Sequence, residues 1–91
     1  MREISSKYIT SGPIVNRLKN EPIPDDEPLL LLRGRDLLAP EAMDYYLKLR
    51  EDRGADPIAQ SRLREDIEQM RLWQSQHSDR TRMPDQPGHT A

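Results

Sequence analysis

Two arginines two residues apart, Arg33 and Arg35 around Gly34, are the side chains in this sequence best suited to chemistry. That chemistry is anion recognition. Each guanidinium is a planar, permanently charged fork that matches carboxylate or phosphate, so a pair on one side of a strand can grip one anion or bracket two neighbouring phosphates. If residues 29–36 are extended, Leu29, Leu31, Arg33 and Arg35 share one face and Leu30, Leu32, Gly34 and Asp36 the other. The two arginine Cα atoms would then lie roughly 6.5–7 Å apart, with Gly34 allowing close backbone approach. A helix start at Pro40 would add a second source of anion attraction. Tyr45 and Tyr46 on that helix, and Tyr8 earlier in the chain, are candidate stacking surfaces for a base; the alternative is core tyrosines with their hydroxyls at the boundary. The arginines also have a structural alternative, in which one pairs with Asp36 or a helix acid and the other ends a solvated strand.

Other chemistry is poorly supplied. Both histidines, His77 and His89, fall at the edge of or inside a polar tail, so no catalytic residue is expected. Asp25-Asp26-Glu27 is acidic, but consecutive acids between prolines lack the glycine-turn spacing of a calcium loop and read as solvated linker. The 91 residues contain no cysteine, which removes disulfides and thiolate metal sites. No Gly-rich phosphate loop is present. The expectation is a protein that is not an enzyme and that has no metal and no cofactor.

The elements that must position the arginines begin with the leucine run. Four consecutive leucines, 29–32, between Pro28 and Arg33, suit a short strand buried on both faces, with Leu30 and Leu32 as core or interface positions. Ala39-Pro40-Glu41 opens a helix with proline at its first position and an acid in its first turn, running to about Arg53, where Gly54 suits a C-terminal cap. Asp56-Pro57 repeats the start signal. Ala59, Leu63, Ile67, Met70 and Trp73 follow the helical period over residues 57–76, with Leu63, Ile67, Met70 and Trp73 expected in the core or a subunit contact. Together these two helices predict an antiparallel hairpin. Upstream, Ile4, Tyr8 and Ile9 support only an arm or a short strand, Pro13 opens a two-turn helix through Asn20, and Pro22, Pro24 and Pro28 make 20–28 an extended linker.

The predicted fold class is therefore mainly α with a minor β component: a short N-terminal helix or arm, one buried strand and an antiparallel helical hairpin. Residues 1–28 form the arm and linker, 29–76 the core strand and hairpin, and 77–91 a disordered tail without periodicity. With 34% hydrophobic against 33% charged residues, a chain this short buries little, so a homo-oligomer that covers the strand edges is expected. A longest apolar run of four residues excludes a spanning helix, and with a polar N-terminal stretch points to a cytoplasmic location with no membrane partner. The net charge of −2 argues against DNA, as does the balance of three arginines against three acids in residues 57–76, which tells against a recognition helix. Charge is nonetheless segregated: residues 1–20 carry +3 and residues 21–28 carry −4.

Glu27-Pro28, Leu32-Arg33, Asp36, Ala39-Pro40 and Tyr45-Tyr46, followed by Gly54 and a second helix ending near Trp73, resemble a pattern in short phage and prophage proteins. That pattern is a Glu-Pro, a hydrophobic strand ending in Leu-Arg, an Asp three residues on, an Ala-Pro helix start with an aromatic in it, and a second helix. Gly34-Arg35 stands where the pattern has a small-polar pair, and Leu30 where it has an aromatic. The resemblance implies a context more than a mechanism: small phage proteins without catalytic groups act by occupying something. Two expectations follow. One is an oligomer that sequesters a phosphate-bearing nucleotide second messenger of a bacterial defence system in pockets lined by Arg33, Arg35 and tyrosines. The other is an interaction module that docks on and inhibits a host protein by strand addition or helix packing.

Overall fold

The computed structural model describes residues 2–5 and 7–84 of the chain. They fall into two compact units, Met1–Leu31 and Leu32–Ala91.

The first unit is built from two tight antiparallel hairpins. Strands β1 (Arg2–Glu3) and β2 (Ile9–Thr10) pair Arg2 with Thr10 and Glu3 with Ile9. Strands β3 (Val15–Asn16) and β4 (Glu21–Pro22) pair Val15 with Pro22 and Asn16 with Glu21. The second hairpin stands where a two-turn helix is expected from Pro13, and its turn explains why. The Asn16 carboxamide accepts hydrogen bonds from the backbone N–H groups of Leu18 (3.0 Å) and Lys19 (3.2 Å), and Asn20 closes the turn at φ 54°, a left-handed conformation that asparagine tolerates. These local bonds replace the costly first turn of a helix.

A buried charge holds this unit together. The Arg2 residue is 3% exposed, and its guanidinium donates to three backbone carbonyls: Glu3 at 2.9 Å, Pro24 at 2.7 Å and Glu27 at 2.9 Å. Its Nε has no hydrogen-bond acceptor and faces the exposed Asp25 carboxylate at 3.6 Å. The proline-rich 20–28 stretch is thus tied down by its carbonyls, the backbone groups that proline leaves intact.

The second unit contains helices α1 (Ala39–Asp52) and α2 (Pro57–Gln76), joined by a turn in which Gly54 sits at φ 75°. Asp36 Oδ1 accepts from the Leu38 N–H at 2.8 Å just before α1, and Asp56 caps α2 by accepting from the Ile58 N–H. Polar groups link the two helices. Gln60, 3% exposed, donates to the Leu47 carbonyl at 3.2 Å and accepts from Arg50 Nε at 2.7 Å, while Arg64–Glu51 and Arg71–Asp44 form half-exposed ion pairs. Ala39 and Ile67 are the deeply buried apolar residues, whereas Leu63 and Met70 are half-buried.

The mainly α fold class, with its single core strand and helical hairpin, is therefore corrected to a small mixed fold of two helices and two two-stranded antiparallel sheets. The leucine run is not a strand: residues 28–33 have no regular structure, Leu30 is 80% exposed, and the boundary between the two units falls between Leu31 and Leu32. A strand is stable only when its N–H and C=O groups find a ladder. Here the described residues provide a single β-bridge, Asp36 with Arg82. No helix among the described residues is long and apolar enough to cross a membrane.

Truncating the buried guanidinium leaves three carbonyls without their donor, so Arg2→Ala is expected to cost about 2 kcal/mol. Urea unfolding of the full chain and amide exchange at Ile4 and Ile23 check this. A loss below about 0.5 kcal/mol would mean that the three bonds do not organise the unit.

Candidate functional site

The Leu32–Ala91 unit carries an open groove of about 460 Å³ lined by Arg33, Gly34, Arg35, Trp73, Arg80 and Arg82. Three segments meet there. The 33–36 turn supplies the first pair of arginines, α2 supplies Trp73 near its last turn, and the chain beyond α2 supplies the second pair.

The chain returns to the groove because α2 ends in a sharp reversal. A 3-10 turn, Ser78–Arg80, follows directly, with the Arg80 N–H donating to the His77 carbonyl at 2.9 Å and Thr81 Oγ1 donating to the same carbonyl at 3.0 Å. The segment then runs parallel beside the arginine turn: the Arg82 N–H donates to the Arg35 carbonyl and the Leu37 N–H to the Arg82 carbonyl, both at 2.9 Å. The Gln74 carboxamide locks the other side. Its Nε2 donates to the carbonyls of Gly34 (2.9 Å) and Asp36 (2.8 Å), bracketing Arg35.

Trp73 forms the floor. His77, one helical turn on, stacks on its indole with centroids 4.4 Å apart and planes at 19°, and His77 Nδ1 lies 2.9 Å from the Trp73 carbonyl. The Arg80 guanidinium lies over the ring at 5.1 Å from the centroid, a cation–π geometry. Gly34 faces the indole with room for one carbon: a Cβ there would sit 3.5 Å from Cε3 and 3.7 Å from Cδ2.

Among the described residues, Arg33, Arg35 and Arg80 enter no ion pair and no carboxylate lines the groove. Four guanidiniums, which stay charged at any physiological pH, therefore share one concave surface. This surface offers donors and positive charge. None of its six residues supplies a nucleophile or a proton acceptor. Among the described residues, no group of three or more His, Cys, Asp or Glu side chains is placed to hold a metal ion.

Of the candidate ligand contacts read from sequence, the structure brings together Arg33, Gly34 and Arg35 and joins them to Trp73, which reads in the sequence as a core or interface residue. Tyr45 and Tyr46 do not line the groove. Tyr45 and Tyr46 are exposed on α1, and the Arg50 guanidinium lies 5.5 Å from the Tyr46 ring centroid. Tyr8 belongs to the other unit, where Lys7 Nζ lies 5.9 Å from its ring centroid. Leu32 is exposed beside the arginine turn rather than buried. Arg80 and Arg82 lie in the segment that composition assigns to a disordered tail; residues 77–84 are described and folded back, and His89, with the rest of 85–91, lies outside the described residues. A signal for them exists: Arg80-Thr81-Arg82 repeats the Arg-x-Arg spacing of Arg33-Gly34-Arg35.

No protein-family model matches the chain, and no curated protein or solved structure matches it either.

Two substitutions test this construction. Gly34→Ala places its Cβ at ordinary contact distance from the indole and is expected to change stability by no more than about 0.5 kcal/mol, whereas Gly34→Val displaces the ring and costs about 1–3 kcal/mol. Gln74→Ala removes two hydrogen bonds and is expected to cost about 1–2 kcal/mol. Thermal unfolding reads both, and the intrinsic fluorescence of the chain's single tryptophan reports any movement of the floor. Equal effects of the alanine and valine variants at position 34 would contradict the packing described.

Proposed function

We propose that this protein is a non-catalytic binding protein that captures a phosphate-bearing nucleotide in the arginine groove. The observation that carries the reading is the convergence of Arg33, Arg35, Arg80 and Arg82 around Trp73 in one groove that no acid among the described residues lines. Its volume falls in the range of small-ligand sites, and planar guanidinium forks are the side chains that best match phosphate oxygens. Residues able to bind but not to react support capture over turnover. In the phage setting that the sequence pattern implies, capture withdraws a nucleotide signal from a bacterial defence system. Assembly into a homo-oligomer fits the thin apolar core, in which Ala39 and Ile67 are the deeply buried apolar residues among those described.

A second reading, docking on a host protein, is favoured by the apolar side chains left exposed in the same unit, including Leu37, Leu38, Tyr45 and Leu49. Under that reading the arginines are rim contacts.

Calorimetric titration with ATP separates the two. Arg35→Glu is expected to weaken ATP binding by about 100-fold or more, since reversal replaces a charge-assisted contact by repulsion, while circular dichroism stays unchanged. Arg62→Glu, on α2 but not in the groove, is expected to change affinity by less than about threefold. Equal affinities for the wild-type protein and Arg35→Glu would contradict the proposal.

A further inference from the structure

We infer that the outward face of α1 is a self-association surface, on which two copies of this chain pair through their α1 helices, side by side and antiparallel. The inference goes beyond the groove and its ligand by naming the surface and the partner through which a homo-oligomer forms. Two observations carry it, the spacing of exposed apolar residues and the charges that flank them.

At 3.6 residues per turn, Leu38, Ala42, Tyr45 and Leu49 fall within about 60° of arc on α1. All four are exposed. Helical geometry reaches as far as Leu38, whose carbonyl accepts from the Ala42 N–H at 3.0 Å. The opposite side of α1 is the covered one: Ala39 is buried, Met43 and Leu47 are half-buried, and Arg50 is bonded to Gln60 of α2. The exposed residues are spaced four, three and four apart, the seam spacing of a coiled coil, and Asp52 at the next seam position ends the run. Because α2 packs on the other side, it cannot fill this seam.

Charge selects the partner and its direction. Glu41 and Lys48 flank the seam on one side, a heptad apart, and enter no ion pair among the described residues, whereas Asp44 and Glu51 are taken by Arg71 and Arg64 of α2. In an antiparallel pair with its twofold axis between Ala42 and Tyr45, Leu38 of each copy meets Leu49 of the other, and Glu41 of each lies beside Lys48 of the other. The surface is therefore complementary to itself. Antiparallel pairing also sets each helix N-terminus beside the partner's C-terminus, where the macrodipoles attract. A parallel pair would instead set Lys48 beside Arg53 of the second copy and leave Glu41 facing Tyr46. Like charges disfavour that alternative.

The test is sedimentation equilibrium of the full chain, without nucleotide, over about a hundredfold range of concentration. The expected result is a monomer–dimer equilibrium, since a seam of four residues makes a small interface that dissociates on dilution. Tyr45→Glu, at a position 67% exposed, should leave circular dichroism unchanged and weaken the dimer by about 30-fold or more. Glu41→Lys and Lys48→Glu should each weaken it by about tenfold, and an equimolar mixture of these two variants should regain the wild-type association. A chain that is monomeric throughout would overturn the proposal and leave the face to a host protein. So would a dimer unmoved by Tyr45→Glu, or one tightened by Lys48→Glu as a parallel pair would be. Because nucleotide is absent, failure of the groove to bind ATP leaves this result standing, and failure to dimerise leaves the groove reading standing.

Discussion

Four like charges share one small groove, and neutral backbone hydrogen bonds hold them there. Guanidiniums brought together repel one another, weakly when solvated and more strongly as water is excluded. Nothing in that repulsion favours the arrangement. It is imposed from outside the charges, by the Gln74 carboxamide on the carbonyls either side of Arg35 and by the two bonds that join Arg82 to Arg35 and Leu37. The backbone of the groove is positioned by its peptide groups and by one carboxamide, and not by ion pairs of Arg33, Arg35 or Arg80 among the described residues.

The same economy of apolar material runs through both units. One hairpin pair is fastened by a buried arginine bonded to three carbonyls, and the two helices meet around a buried glutamine and exposed ion pairs. Half-exposed ion pairs contribute little to stability, so the hydrogen bonds of the buried Gln60 carboxamide and of the terminal nitrogens of Arg2 carry more of the order than in a larger domain. That pattern agrees with a composition in which charged and hydrophobic residues are nearly equal. It also explains why apolar periodicity is a weak guide to this chain.

The features legible in the sequence were those with local causes. Proline at the first turn, an Asp cap at residue 56 and Gly54 at positive φ mark where α1 and α2 begin and end, and all act within a few residues. The Arg-Gly-Arg spacing marks Arg33 and Arg35 as neighbours, and both line the groove. The leucine run misled because hydrophobicity asks for burial but does not supply a neighbouring strand, and none is built against residues 28–33. The β3–β4 hairpin was hidden because it depends on the Asn16 side chain bonding two amides, a preference that a proline-led helix signal obscures. Half of the groove escaped because Arg80 and Arg82 reach it through a parallel bridge between residues 46 positions apart, Asp36 and Arg82. Long-range pairing of this kind leaves little local trace beyond the repeated Arg-x-Arg.

The most direct measurement of the central claim is a nitrogen–proton NMR titration of the arginine side chains with a nucleotide. The account predicts that the Nε–Hε signals of Arg33, Arg35, Arg80 and Arg82 shift together with one saturation curve, while those of Arg2, held by its own carbonyls, and Arg62, away from the groove, stay in place. Shifts spread evenly over all the arginines, or confined to residues outside the groove, would contradict it.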